Sequence, residues 1–100
     1  MKPVLLALMF LSEEHRAQMA QSFELVYAPD SAQAAAAIAE HGPRIAVVLT
    51  IGATGLSAAQ IDALPNITLV CALGAGYENI AVAHAKARGI VVATGAGTND

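Results

Sequence analysis

Short apolar runs recur about every twenty residues along this chain, at Val4–Phe10, Phe23–Tyr27, Ile45–Ile51, Ile67–Leu73 and Ile90–Thr94. Each is too short for a core helix and rich in Val, Ile and Leu, and so reads as a strand buried on one or both faces. The intervening segments Ser12–Gln21, Ser31–His41, Ser57–Leu64 and Ile80–Arg88 have helical character. Ser12 with Glu13 and Glu14 behind it, Ser31 after Pro29-Asp30, and Ser57 before Ala58-Ala59-Gln60 are expected N-caps. Gly42-Pro43 and Gly89 are expected helix stops. The resulting βαβαβαβαβ pattern predicts an α/β domain with parallel strands and right-handed crossovers. Strands so connected form a doubly wound five-stranded sheet in the order 2-1-3-4-5, with helices on both faces and a switch point between strands 1 and 3.

In such a sheet ligands bind beyond the carboxyl ends of the strands. The loops at that rim are Leu11-Ser12, Ala28–Ser31, Thr50–Gly55, Gly74–Glu78 and Gly95–Asn99. Two of them are glycine-rich and carry little charge, so a ligand there meets mainly main-chain groups. Gly74-Ala75-Gly76 ends an apolar run and precedes a helix, a geometry whose free N–H groups attract anions. The dinucleotide fingerprint G-x-G-x-x-G is nevertheless incomplete, because Asn79 stands where the third glycine belongs. The second candidate, Gly95-Ala96-Gly97, fails in the same way at Asp100. The expectation is a site for something small and anionic.

Composition narrows the classes. One hundred residues make one domain, 1–100, whose apolar share of 56% with only 4% aromatics calls for a core of Ala, Val, Leu and Ile. A net charge of −3, with no basic cluster longer than Lys86-Ala87-Arg88, argues against nucleic acid as a partner. The single cysteine, Cys71, sits inside an apolar run; it is expected to be a small buried hydrophobe, in a reducing, cytoplasmic setting. Val4–Leu11 lacks a small-residue cleavage site and is followed by Glu13-Glu14-His15-Arg16, as suits a first core strand. No apolar run approaches the roughly 18 residues of a membrane span, so no membrane partner is expected.

Catalytic candidates are few. A receiver-type phosphorylation site needs acids after strands 1 and 3, where Met9-Phe10-Leu11 and Leu49-Thr50-Ile51 stand. Glu13 and Glu14 would crowd a flavin phosphate at the first loop. His15, His41 and His84 fall within or at the ends of helices, and no two have metal-ligand spacing, so no metal site is expected. Thr54 and Ser57 have no visible base, Tyr77 reads as an aromatic packed on a helix start, and Glu78 as a carboxylate favoured by a helix N-terminus. No catalytic set assembles.

Leu49–Ser57, Ile61–Ile67, Gly74–Ile80 and Ala85–Val92 together resemble the amino-terminal half of the D-isomer-specific 2-hydroxyacid dehydrogenases, most of all their glyoxylate/hydroxypyruvate reductase branch. The resemblance spans essentially the whole chain and is strongest from residue 45 onward. It implies a flavodoxin-like substrate-binding domain, with Thr94–Asp100 at the hinge into an NAD(P)-binding Rossmann domain. The catalytic Arg, Glu and His of the family would then lie beyond residue 100, as would the NAD or NADP site. This chain would bind no cofactor itself and would be a fragment without activity. By position, the main-chain N–H groups of Ala75 and Gly76 would bind the carboxylate of a small 2-oxo acid. Ile51, Gly52 and Ala53 would flank its other end. The family often has Asp where Glu78 and Ala81 stand here, a departure that bears on helix capping. The resemblance further implies that the far end of the complete chain packs back on this domain, so that the isolated fragment would self-associate. A stand-alone module of the same fold, binding small carboxylates or serving oligomerisation, is the alternative.

Overall fold

The computed structural model describes residues 2–51, 54–73 and 79–94. Along the chain run β1 (Val4–Ala7), α1 (Glu13–Ser22), β2 (Glu24–Tyr27), α2 (Ser31–His41), β3 (Ile45–Ile51), α3 (Ala58–Asp62), β4 (Leu69–Leu73), α4 (Val82–Ala87) and β5 (Val91–Thr94). All four strand pairings are parallel, and the sheet order is β2-β1-β3-β4-β5. Fold class, strand number and order are thus those the hydrophobic pattern predicts.

The ends of the elements differ from the expectation. β1 stops at Ala7, opposite Tyr27, although the apolar run continues to Phe10, which is 76% exposed. β2 ends there, while β3 on the other side runs two residues further, and pairing beyond this point consists of the Leu8 amide on the Leu49 carbonyl and the Ala28 amide on the Ala7 carbonyl. α2 is capped by Asp30, whose carboxylate accepts from the Gln33 amide at 2.8 Å, and Ser31 is its first helical residue. A carboxylate combines the capping bond with a favourable helix dipole, which a hydroxyl does not. Ser12 and Ser57 cap as predicted, Ser57 in a reciprocal capping box with Gln60. Gly42-Pro43 does not end the chain's coiling at once, since a 3-10 turn, Gly42–Arg44, leads directly into β3.

Helices α2, α3 and α4 cover one face of the sheet. Leu6, Val48 and Val70 from the strands pack there with Ala34, Ala37, Ile61, Leu64 and Ala85. Alanines at the α2 contact keep the helix close to the strands. The opposite face is clothed by α1 alone among the described elements, through Met19 and Phe23 against Leu5, Ala7, Leu25 and Leu49. No residue of α1 is buried, consistent with its sequence EEHRAQMAQS, which has no apolar stripe. α1 packs along β2, and the β4–β5 side of that face is left half-covered. Cys71 is therefore half-buried, not fully buried as expected from its apolar run, and Val91 is 61% exposed. No helix among the described residues is long and apolar enough to cross a membrane.

Gly89 is the predicted stop of α4. Its φ is +77°, its amide donates to the Lys86 carbonyl at 2.9 Å, and the Ile90 amide donates to the Ala85 carbonyl at 3.0 Å, a complete Schellman closure. One residue earlier, Arg88 reaches across to α3, donating to the carbonyls of Ile61, Leu64 and Pro65, while Asp62 receives His84 at 2.7 Å. Arg88 thus satisfies the C-terminal end of α3 from outside, where the sequence supplies neither glycine nor a local cation.

Substitutions at two positions check this account by urea unfolding. Arg88→Ala is expected to cost about 1–2 kcal/mol, the value of charge-assisted bonds to partly buried carbonyls. Gly89→Ala, which meets no atom within 4 Å, is expected to cost about 1–2 kcal/mol from backbone strain alone, and Gly89→Asn less.

Candidate active site at the carboxyl edge

β3 and β4 run side by side to the carboxyl edge, their last pair being Ile51 opposite Leu73. The chain leaving β3 turns back at once, with the Gly55 amide donating to the Ile51 carbonyl at 2.7 Å. Thr50 is the only buried polar side chain among the described residues, and its hydroxyl donates to the Gly55 carbonyl at 2.9 Å. Leu56 and Ile80 then form a small parallel bridge: the Leu56 amide donates to the Asn79 carbonyl and the Ala81 amide to the Leu56 carbonyl, each at 2.9 Å. The loops after β3 and β4 therefore start at paired strand ends and finish at a shared bridge.

At the other end of the rim, the Tyr27 hydroxyl accepts from the Leu11 amide at 3.1 Å and faces the Leu11 carbonyl at 3.4 Å. The Arg16 guanidinium lies 4.7 Å from the centre of the Tyr27 ring. These contacts hold the β1–α1 loop against the end of β2 without any charge pointing to the sheet centre.

Of the predicted substrate-facing residues, Ile51 is placed at the edge, half-buried. Gly52, Ala53, Ala75 and Gly76 lie outside the described residues, as do Tyr77, Glu78 and the Gly95–Asp100 segment. Sequence reasoning placed Thr50 and Gly55 on the rim loop without a role and gave none to Leu56 and Ile80, whose joint arrangement depends on contacts between loops. The one local signal was a lone hydroxyl in an otherwise apolar strand. His15 is exposed, His41 lies beside Arg44, and His84 pairs with Asp62 on the far surface of α3 and α4, so none of the three approaches the rim. Among the described residues no group of His, Cys, Asp and Glu could hold a metal ion.

A cleft of about 750 Å³ opens between α2 and α3, with Leu8 and Ile38 in its lining and Ala35, Ala39, Ala59 and Ala63 from the two helices. Its only charged group is Asp30, which caps α2, and it offers little to a small acid. At the start of α4, the first two amides are already engaged by protein carbonyls. The Ala81 amide is taken by Leu56, the Val82 amide by the Ile80 carbonyl at 2.8 Å, and Ala81 provides no side-chain cap. A pyrophosphate would have to displace protein carbonyls from these amides.

The model for the catalytic domain of the D-isomer specific 2-hydroxyacid dehydrogenases matches residues 5–100. The chain belongs to this family. Among solved structures, a 2-hydroxyacid dehydrogenase from Ketogulonicigenium vulgare Y25 is 32% identical with a TM-score of 0.81, over 91% of this chain and 29% of that one. An NADPH-dependent glyoxylate/hydroxypyruvate reductase from Sinorhizobium meliloti, solved with NADP and malonate, is 28% identical with a TM-score of 0.76, over 94% of this chain and 28% of that one. The D-mandelate dehydrogenase of Rhodotorula graminis shares the fold at 19% identity, with a TM-score of 0.73 over 99% of this chain and 33% of that one. The dehydrogenase domain described here thus spans less than a third of the length of these relatives. No curated protein sequence matches the chain.

Within this dehydrogenase domain the Tyr27 contact has a measurable weight. Tyr27→Phe is expected to lower stability by about 1 kcal/mol by leaving the Leu11 amide without its partner. Faster amide exchange confined to the β1–α1 loop, with β3 and β4 unaffected, is the expected pattern.

Proposed function

We propose that these residues are the substrate-binding half of an oxidoreductase that interconverts a small 2-oxo acid, of the glyoxylate or hydroxypyruvate kind, with its D-2-hydroxy acid. The observation that carries this reading is the common root and common closure of the loops after β3 and β4, the loops that bear Ile51, Gly52, Ala53 and Ala75, Gly76. Family membership supplies the reaction class, and the Sinorhizobium meliloti reductase, solved with the small dicarboxylate malonate, supports an acid ligand. The main-chain N–H groups of Ala75 and Gly76 bind the substrate carboxylate, and Ile51, Gly52 and Ala53 border its other end. Uncharged walls suit this role, because amide dipoles hold a carboxylate without adding a competing base.

The catalytic acid–base and substrate-clamping side chains belong to a Rossmann domain outside these residues, as does the site for NAD or NADP, in keeping with the occupied amides at the start of α4. The complete enzyme works in the cytoplasm. The 100 residues alone bind acid and turn nothing over. Closure of the second domain over the rim excludes water from the bound acid. The half-covered sheet face with Cys71 and Val91 is where the remainder of the enzyme packs, and in its absence copies of the domain associate through it.

Titration with glyoxylate, followed by backbone amide spectra, is expected to shift Ala75 and Gly76 first; unshifted amides at both positions would overturn the acid-binding reading. NADH and NADPH oxidation with glyoxylate or hydroxypyruvate is expected to be absent for the purified chain, and turnover would refute the division of labour. Light scattering is expected to show association that weakens at least tenfold in Val91→Asp, since a charge on the exposed sheet face opposes stacking.

A further inference from the structure

The peptide unit between Gly55 and Leu56 does two things at once. Its carbonyl accepts from the Thr50 hydroxyl at 2.9 Å, and its N–H donates to the Asn79 carbonyl at 2.9 Å. The two bonds lie on opposite sides of one rigid plane, so a rotation that loses one misaligns the other. We infer that Thr50 and Gly55 are positioning residues that clamp the loop after β3 to the loop after β4, through the series Thr50 hydroxyl, Gly55–Leu56 peptide, Asn79 carbonyl. The inference rests on the acid-binding reading of those loops, whose spacing the clamp sets.

Three features argue for a clamp in place of an ordinary loop closure. Thr50 has no exposed surface and occupies a strand position that Val could fill without needing a hydrogen-bond partner. Its hydroxyl reaches the Gly55 carbonyl of the returning loop at 2.9 Å, closer than the Ile51 carbonyl at 3.4 Å, so its shorter bond is coupled to the loop's path. Gly55 has φ +68°, and a Cβ there would sit 2.0 Å from the Asn79 carbonyl oxygen, so a side chain at this point would force the loops apart. Leu56 is fully buried and Ile80 is 6% exposed, which roots the bridge in the packed interior. Hydrogen bonds in series also polarise one another, so the clamp acts as a unit.

The test uses the 100-residue chain with three variants. Thr50→Val keeps the shape and removes the donor, Thr50→Ser restores the hydroxyl, and Arg88→Ala lowers stability at a site remote from the loops. Without any ligand, Thr50→Val is expected to accelerate exchange of the Leu56 and Ala81 amides at least tenfold while the β1 amides stay as they were. In the unmodified chain the Leu56 amide is expected to exchange as slowly as those of β3, and this measurement stands even if a variant folds poorly. With glyoxylate as the probe, Thr50→Val is expected to weaken binding about tenfold, Thr50→Ser to recover it, and Arg88→Ala to leave it unchanged. Fast Leu56 exchange in the unmodified chain, or exchange unaltered by Thr50→Val, would overturn the clamp. Binding that is equal in all three variants would overturn its role in positioning. Failure of the unmodified chain to bind glyoxylate would instead remove the acid-binding reading and with it that role, leaving the exchange data to decide the clamp itself.

Discussion

Parallel pairing of β3 with β4 from Val47–Leu69 to Ile51–Leu73 is the constraint on which the remaining structure depends. Parallel strands cannot be joined by a tight turn, so the chain must leave the carboxyl edge, cross one face as a helix and re-enter at the opposite edge. That requirement puts α3 between the two strands in sequence, sends the loops after β3 and β4 to the same edge, and brings Leu56 within reach of Ile80. Because the strands are central, their inward side chains are apolar and closely packed, as Val48 and Val70 show. Thr50 is the exception. A hydroxyl in that position demands a partner, and the nearer of its two acceptors, the Gly55 carbonyl at 2.9 Å against the Ile51 carbonyl at 3.4 Å, comes from the loop it introduces.

The fold was legible because its signals are local and repeated. Five apolar runs at nearly even spacing, separated by helical segments of which the first three open on Ser or Asp, leave little choice beyond a doubly wound sheet. Boundaries were less legible. Phe10 extends the first apolar run but lies beyond the last paired residue of β1, a limit set by its flanking strands and not by its own neighbours in sequence. Asp30 and Ser31 are both acceptable caps, and the preference for the carboxylate follows from the geometry of the first turn of α2. Cys71 reads as a core residue from its own sequence neighbours, yet its exposure depends on how far α1 extends over the sheet, a property of distant residues.

Of the candidate site, the rim position of Ile51 was legible from the strand pattern, and the contacts between segments that organise its surroundings were not. The clamp uses the backbone of Gly55, Leu56, Asn79 and Ala81, and backbone partners leave no mark on residue identity. Only Thr50 and Gly55 carry a sequence trace of it, one as an out-of-place hydroxyl and the other as a residue without a Cβ. The start of α4 illustrates the converse: a motif close to a nucleotide fingerprint is present, but the Ala81 and Val82 amides that follow it are bonded to the carbonyls of Leu56 and Ile80.

Among the described residues the sheet carries helices α2, α3 and α4 on one side and α1 alone on the other, leaving apolar side chains of the second side partly open. On the proposed packing of the rest of the enzyme against that second side, burial there adds to the free energy of the domain, so folding and assembly become linked equilibria. Substitutions at Cys71 or Val91 would accordingly weigh little on the isolated unit and much more on the assembled enzyme, and stability data from the two forms would rank the same changes differently.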